Sequence, residues 1–461
     1  MEVNINLYTI WMLNRYSRTI FICLVVFCAS LIAHADSPLT MDEAIRIGLA
    51  QSPALDAARL ESKAGLLEIE REKPVFSPKV TAKAETTLQG PTVTFPRDNS
   101  GLDTVQKESF SRVQLQLDQP LYSPGFSAAS KRYHARTMAN RWEYLQQVND
   151  AILSIRLAYI QALRAQAMLR VAQEEDDLAR KHLDLARLML QSGNVSEEDV
   201  KSSEADAARA DSGLIQATDG AQVAIANLNR LMGRDPAVQV VLEAPKQLPL
   251  VPKDMNSGIE EALNNRPEMR MIDEDIAAAK AGVTLASSQS LPGLSAQAVV
   301  AHQTPSAFVN ENYYAASLVI KWDIFDGGKT HADEETAKLQ SLRLKALRTE
   351  TELGIRTETL KSWKDMQEAA SRIQSCDKQV AASRAALDIA NIRFQQRAAT
   401  QLEVSSAMLN LIKAETDRNN SIYDLFSAYA NWRHATGEDV MRMRGEQAQA
   451  NAPSQDKKVN H

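Results

Sequence analysis

Apolar residues recur along this chain with two different periods, and the switch between them happens twice. From Val80 to Leu88 and from Val113 to Leu121 apolar and polar residues alternate, with Val113, Leu115 and Leu117 on one side and Gln114, Gln116 and Asp118 on the other. A period of two predicts strands with one apolar face. The alternation returns from Leu294 to His302 and from Tyr314 to Ile324, where Leu318, Ile320 and Trp322 oppose Ser317, Lys321 and Asp323. Around these runs the spacing is helical. Thr40 can cap a first turn holding Asp42, Glu43 and Ala44, and Ile45, Leu49, Leu55, Leu60, Leu66 and Leu67 form a helical stripe up to Pro74. A second such stretch runs from Ser257 to Ser288. Residues 128–191 contain no proline and place Leu145, Val148, Ile152, Ile155, Tyr159, Leu163, Leu178 and Leu188 mostly at helical spacings, and 329–396 do likewise. Each predicts one helix about 95 Å long. Breakers follow at Ser192-Gly193-Asn194-Val195-Ser196 and at Arg397-Ala398-Ala399-Thr400, and each is succeeded by a return helix ending at Gly233 or Gly437. Long helices with short returns predict antiparallel coiled-coil hairpins.

The order helix, strand pair, long hairpin is written twice. Leu49-Ala50-Gln51-Ser52-Pro53 aligns with Leu263-Asn264-Asn265-Arg266-Pro267, Gln119-Pro120-Leu121-Tyr122-Ser123-Pro124-Gly125 with Trp322-Asp323-Ile324-Phe325-Asp326-Gly327-Gly328, and the stretch from Asn227 to Gly233 with that from Asn431 to Gly437. The expected organisation is a leader over 1–35, a first repeat over 36–233, a linker over 234–255, a second repeat over 256–440 and a disordered tail over 441–461. The linker holds Pro236, Pro245, Pro249 and Pro252, with a short strand expected at Val238 to Leu242.

Composition narrows what such a chain can do. Arg15 and Arg18 precede an apolar run from Ile20 to Ile32 and then Ala33-His34-Ala35, the pattern of a secretory signal peptide cleaved after Ala35. The run is shorter than the roughly 20 residues that a membrane anchor needs. Cys23 and Cys28 leave with the leader, so only Cys376 survives and stability must come from packing and association. Losing Arg15, Arg18 and Glu2 takes 52 basic and 58 acidic side chains to 50 and 57, a net charge near −7. No basic stripe is offered to nucleic acid. An aromatic content of 5% and a middle rich in Ala, Leu, Arg, Gln, Glu and Lys favour long packed helices.

No stretch beyond residue 35 is apolar enough for a transmembrane helix, which leaves a closed β-barrel as the way across a bilayer. The alternating runs have the length of about 9–11 residues that a tilted membrane strand needs. Soluble hairpins have strands of similar length, and the membrane reading is preferred for the aromatic residues Tyr122, Tyr313, Tyr314, Trp322 and Phe325 near strand ends, where interfacial girdles sit. Four strands cannot close a barrel, since small barrels need about eight. Copies must therefore associate, and two or three of them both give an even strand count.

The opening Leu39-Thr40-Met41-Asp42-Glu43-Ala44-Ile45, the strand-to-helix Asp326-Gly327-Gly328, the segment from Gly193 to Val200 and the closing Asn227-Leu228-Asn229-Arg230-Leu231-Met232-Gly233 resemble those of the TolC-type outer-membrane efflux proteins. The resemblance covers about residues 38 to 440. It implies a mainly α fold with a β-barrel part: a homotrimer sharing a twelve-stranded barrel in outer-membrane lipid, a periplasmic helical tunnel, and docking of an inner-membrane pump through a periplasmic adaptor. Carried over residue by residue, it puts adaptor contacts at the tips Gly193, Asn194, Val195 and Ser196 and Arg397, Ala398, Ala399 and Thr400, where Arg397 departs from the family's usual glycine. It puts a pore constriction at Asp199 and Glu403, with Ser406 where a second acid is found in the family. Three copies of Glu403 around an axis would attract cations. The alternative for Asp199 and Glu403 is the ordinary role of first-turn acids at a helix N-terminus.

Other constellations carry no chemistry. Gly328-Lys329-Thr330 opens a helix after a strand, but a phosphate loop needs glycine where Asp323 stands. Ser375-Cys376-Asp377-Lys378 lacks the companion motifs of a serine acylase. The mature histidines 134, 182, 302, 331, 434 and 461 are not spaced as a zinc cage, and Met269, Met271, Met441 and Met443 are read as core rather than copper ligands. No cofactor and no enzyme activity are implied. The expected function is a passive exit duct for drugs, metals or other toxic compounds, with type I protein secretion and a soluble periplasmic scaffold as the alternatives.

Overall fold

The computed structural model describes residues 38–442 except 75, 98–100, 107 and 306–309. The leader at 1–35 and, of the tail expected over 441–461, all but the helical Met441 and Arg442 lie outside the described residues. Helix α1 spans Met41–Gln51 and α2 Pro53–Arg71, and strands β1 (Lys79–Leu88), β2 (Val93–Arg97), β3 (Gly101–Gln106) and β4 (Ser109–Tyr122) follow. Then come α3 (Phe126–Gln191) and α4 (Glu197–Leu231), α5 (Met255–Asn265) and α6 (Pro267–Ser288), β5 (Gly293–Gln303) and β6 (Asn312–Lys321), and α7 (Lys329–Gln395) and α8 (Gln401–Thr436). Residues 438–442 add a last helical stretch.

The opening stretch of each half, expected as one helix, is two. Proline at 53 and at 267 cannot donate to the helix ladder and pushes the residue before it out of the α region. Ser52 and Arg266 accordingly take extended backbone with ψ of 120° and 130°. Thr40 caps α1 as expected, in a capping box with Glu43. Three strand boundaries match the alternating runs to within a few residues. The fourth stops at Lys321, because the Trp322 indole turns away to donate to Ser290 O at 3.0 Å. A ribbon of β2 and β3 lies in the loop of the first half and was not foreseen.

The chain divides into two compact units. The first comprises residues up to Ala54, Ala151–Pro252 and Ser362–Asn431. Its core includes Tyr159, which is fully buried with its hydroxyl 2.7 Å from Leu39 O and 2.8 Å from Glu243 O. Burial pushes that phenol up to about 12. The strand expected at Val238 to Leu242 reduces to a single parallel bridge, Leu39 to Leu242, with Leu39 N–H donating to Val241 O and Glu243 N–H to Leu39 O. At the end of α4, Gly233 adopts φ 75°, and a Cβ there would stand 2.2 Å from Gln51 O. Only glycine allows the helix end to sit so close to α1.

The second unit comprises Leu55–Asp150, Lys253–Lys361 and the chain from Trp432. It holds an antiparallel sheet in the order β1-β4-β5-β6. Gly437 repeats the device of Gly233, with φ 68° and its would-be Cβ 3.0 Å from Asn265 C. Beside it lies a charge cluster around the buried Arg266 and His434. Arg266, at the α5–α6 break, pairs with Glu268 at 2.5 Å and with Glu358, and His434 reaches Asp150 at 2.8 Å and Glu358 at 3.3 Å. Burial works against charge on His434, but the hydrogen bonds to Asp150 and Glu358 prevail and push it up to about 9. Burial likewise works to raise Glu358, and the His434 and Arg266 contacts outweigh it, holding the carboxyl at about 2.

These shifts fix a stability profile. The His434 contribution is complete below 6.5 and disappears as pH rises through about 9, while the Glu358 contribution is complete above 4.5 and disappears as pH falls through about 2. The thermal midpoint of the purified protein should therefore drop between pH 7 and pH 10. His434→Gln should lower the midpoint at pH 6 and remove that alkaline drop, read by circular dichroism.

Candidate functional site: the sheet faces and the hairpin tips

Residues paired directly across an antiparallel ladder share a face. The register pairs Val80 with Leu117, Ala82 with Leu115 and Ala84 with Val113. It continues Leu117 to Ala298 and Leu115 to Val300, and then Ala298 to Ala316, Val300 to Tyr314 and Ala296 to Leu318. One face is therefore apolar across all four strands. It is also the open face of the lone chain, with Leu318 71% and Ile320 72% exposed. A soluble hairpin of this composition would bury that face. Along β6 this face runs from Tyr314 to Ile320, about 20 Å along the strand, and Trp322 lies just beyond the strand end. A membrane barrel carries an apolar band about 25 Å tall between aromatic girdles.

The opposite face is polar. Arg112 donates from Nε and Nη2 to Gln303 Oε1 at 3.0 and 2.8 Å, Gln116 Nε2 donates to Asp118, and Lys83 pairs with Glu85. Gln114 and Gln297 lie on the same face by register. Sequence reading caught the apolar side of this alternation and left the polar side without a role, although the same period marks both.

The tips belong to the first unit and are built alike. At the end of α3, Gly193 N–H donates to Leu190 O and Asn194 N–H to Met189 O, the paired bonds of a Schellman turn, with Gly193 at φ 67°. Arg397 N–H to Phe394 O and Ala398 N–H to Arg393 O make the same turn at the end of α7, with Arg397 at φ 61°. A non-glycine residue pays about 1–2 kcal/mol for that conformation. Arg393 braces the turn by donating to Ala398 O at 2.8 Å and pairing with Glu403 at 3.4 Å. Val195 and Ala399 pack on one cluster formed by Met189, Phe394, Val404, Met408 and Leu411, so the structure brings the two tips together. Gly193, Ser196, Arg397, Ala398 and Thr400 are exposed, and Asn194 is partly so.

Asp199 and Glu403 hold equivalent places. Ser196 N–H donates to Asp199 Oδ2 at 2.9 Å and Asp199 N–H to Ser196 Oγ at 3.1 Å, a capping box; Thr400 and Glu403 repeat it at 3.4 and 3.3 Å. Both carboxylates thus serve their helix N-termini. Behind the tips runs a buried polar chain that no sequence signal showed. His182 on α3 contacts Gln401 on α8, Gln401 Nε2 donates to Ser405 Oγ at 3.2 Å, and Ser405 Oγ donates to Asp206 on α4 at 2.5 Å. Its members are far apart in sequence, and no local spacing connects them.

With strands, polar face and tips in place, comparison with known proteins decides the family. Residues 44–234 and again 258–438 match the family described as outer membrane efflux protein. The chain belongs to that family. It is an outer-membrane channel protein with its helices in the periplasm, not an enzyme. Protein CyaE of Bordetella pertussis is 26% identical over 72% of this chain and 70% of its own length. The alkaline protease secretion protein AprF of Pseudomonas aeruginosa is 22% identical over 70% and 69%. Among solved structures, that of CusC superposes with a TM-score of 0.75 at 14% identity, covering 86% of this chain and 92% of CusC. The outer membrane protein VceC of Vibrio cholerae gives 0.73 at 18%, covering 86% and 96%. These likenesses establish the mainly helical channel fold.

Nothing stands near a Cβ built on Gly193, so Gly193→Ala meets only the backbone penalty. It should destabilise the first tip by about 1 kcal/mol, whereas Arg397→Gly should stabilise the second by a smaller amount. Hydrogen exchange of the Asn194 and Ala398 amides reads both effects.

Proposed function

We propose that this chain is the passive exit duct of a tripartite export system. Three copies share a twelve-stranded barrel in the outer membrane, their helices enclose a periplasmic tunnel, and an inner-membrane pump delivers drugs, metals or other toxic small molecules through a periplasmic adaptor. The observation that carries this reading is the sheet whose apolar face is open and whose two edges, β1 and β6, lack partners among the described residues. Unpaired strand edges in hydrocarbon cost several kcal/mol per group, so the sheet requires neighbours. The tips Gly193 to Ser196 and Arg397 to Thr400 are taken as the adaptor-facing surface, since they are exposed backbone turns on a common packed base. Asp199 and Glu403, directly behind them, are taken as the acids nearest the tunnel's narrow end.

A second reading, export of a protein rather than a small molecule, is favoured by one finding: AprF, similar over most of this chain, is named for alkaline protease secretion. The two readings share the duct and differ in the pump. Crosslinking from Asn194 in cells, followed by identification of the captured partners, separates them.

A soluble periplasmic scaffold is the remaining contender. Leu318→Lys or Ile320→Lys would put a charge on the apolar face at a cost of about 2–4 kcal/mol near the bilayer midplane. Either should abolish heat-sensitive trimers in the outer-membrane fraction. Wild-type-like soluble protein from both variants would rule the duct out.

A further inference from the structure

The two tips are the same turn at positions 204 residues apart, so that Gly193 answers to Arg397, Glu197 to Gln401, Glu198 to Leu402 and Asp199 to Glu403. What they expose differs. From Ser192 to Val200 the first tip carries Glu197, Glu198 and Asp199 and no base, whereas Gln396 to Val404 holds Arg397 and Glu403. Glu403 is paired with Arg393, which leaves Arg397 as the uncompensated charge of the second tip. Gln401 turns inward to His182, and Leu402 stands 74% exposed where the first tip has an exposed glutamate.

Arg397 is the one non-glycine residue with positive φ among the described residues. Gly193 makes the same turn without that strain, so the turn itself does not ask for arginine. The Arg397 side chain is exposed and makes no hydrogen bond or ion pair with any described residue. An unfavourable backbone conformation kept at an exposed, unpartnered charge has no compensation within this chain, which directs attention to a partner.

We propose that Arg397 and Leu402 make the second tip a docking point for an adaptor end that presents a carboxylate beside an apolar side chain, and that Glu197 and Glu198 turn the same end away from the first tip. This rests on the adaptor-facing reading of the tips given above. Because the chain is written twice, every copy in a ring offers two tips of one backbone shape. Shape alone does not tell them apart. Attraction at one and like-charge repulsion at the other gives the adaptor a single register on each copy.

The test places a photoreactive residue at Ala398 of the full-length chain in its own cells and measures the yield of crosslinked adaptor and the segment captured. Arg397→Gly should lower the yield about threefold even though it relaxes the turn, and Arg397→Lys should keep most of it. Arg397→Glu should lower it about tenfold, and Leu402→Glu, which copies the first tip, should lower it as well. Glu197→Gln combined with Glu198→Gln, read from a photoreactive residue at Asn194, should raise capture of that same adaptor segment by the first tip. Wild-type yield from both Arg397→Gly and Arg397→Glu, or a captured segment without aspartate or glutamate, would overturn the charge match and leave the adaptor reading standing. Loss of trimers in Arg397→Gly and Arg397→Lys alike would assign Arg397 to a contact between copies and would equally overturn it. No capture from either tip of the wild type would overturn the adaptor-facing reading itself.

Discussion

A backbone amide or carbonyl in hydrocarbon has no water to turn to. In the exit-duct reading proposed above, that constraint acts on a sheet of four strands. The interior pairs β1-β4-β5-β6 satisfy one another along registers of about ten residues, and two edges are left over. A monomer of this shape would be penalised along the whole length of both edges. The helices inherit the arrangement, because each strand of the sheet continues through a short connection into a helix of the same unit.

Secondary structure was legible because period and punctuation agreed. Strands announced themselves by alternation, and long helices by the lack of proline over 128–191 and 329–396. The doubled pattern located both tips. Misreadings arose where a single residue overruled the period. Pro53 and Pro267 split helices that the apolar stripe runs straight through, and the Trp322 indole, by seeking Ser290 O, ended a strand that alternation would have carried on.

At the tips, positions were legible and roles only partly so. Gly193 signalled a left-handed turn, and the structure has one. Arg397 gave no such signal yet adopts the same conformation, since the Schellman bonds and the Arg393 brace impose it. Asp199 and Glu403 sit where a family resemblance would put a constriction, and both are engaged in capping; sequence could not weigh the two uses because each asks for an acid at the third helical position. The chain from His182 through Gln401 and Ser405 to Asp206 was out of reach, since its members meet only through folding.

The cluster around Arg266 has a meaning for the compartment in which these helices stand. With Glu358 held near 2 and His434 near 9, these two groups keep their charge over the mildly acidic range that an envelope open to the surrounding medium can experience. Where α5 breaks into α6, the channel is thus built from ions whose charge state the outside world does not easily reset.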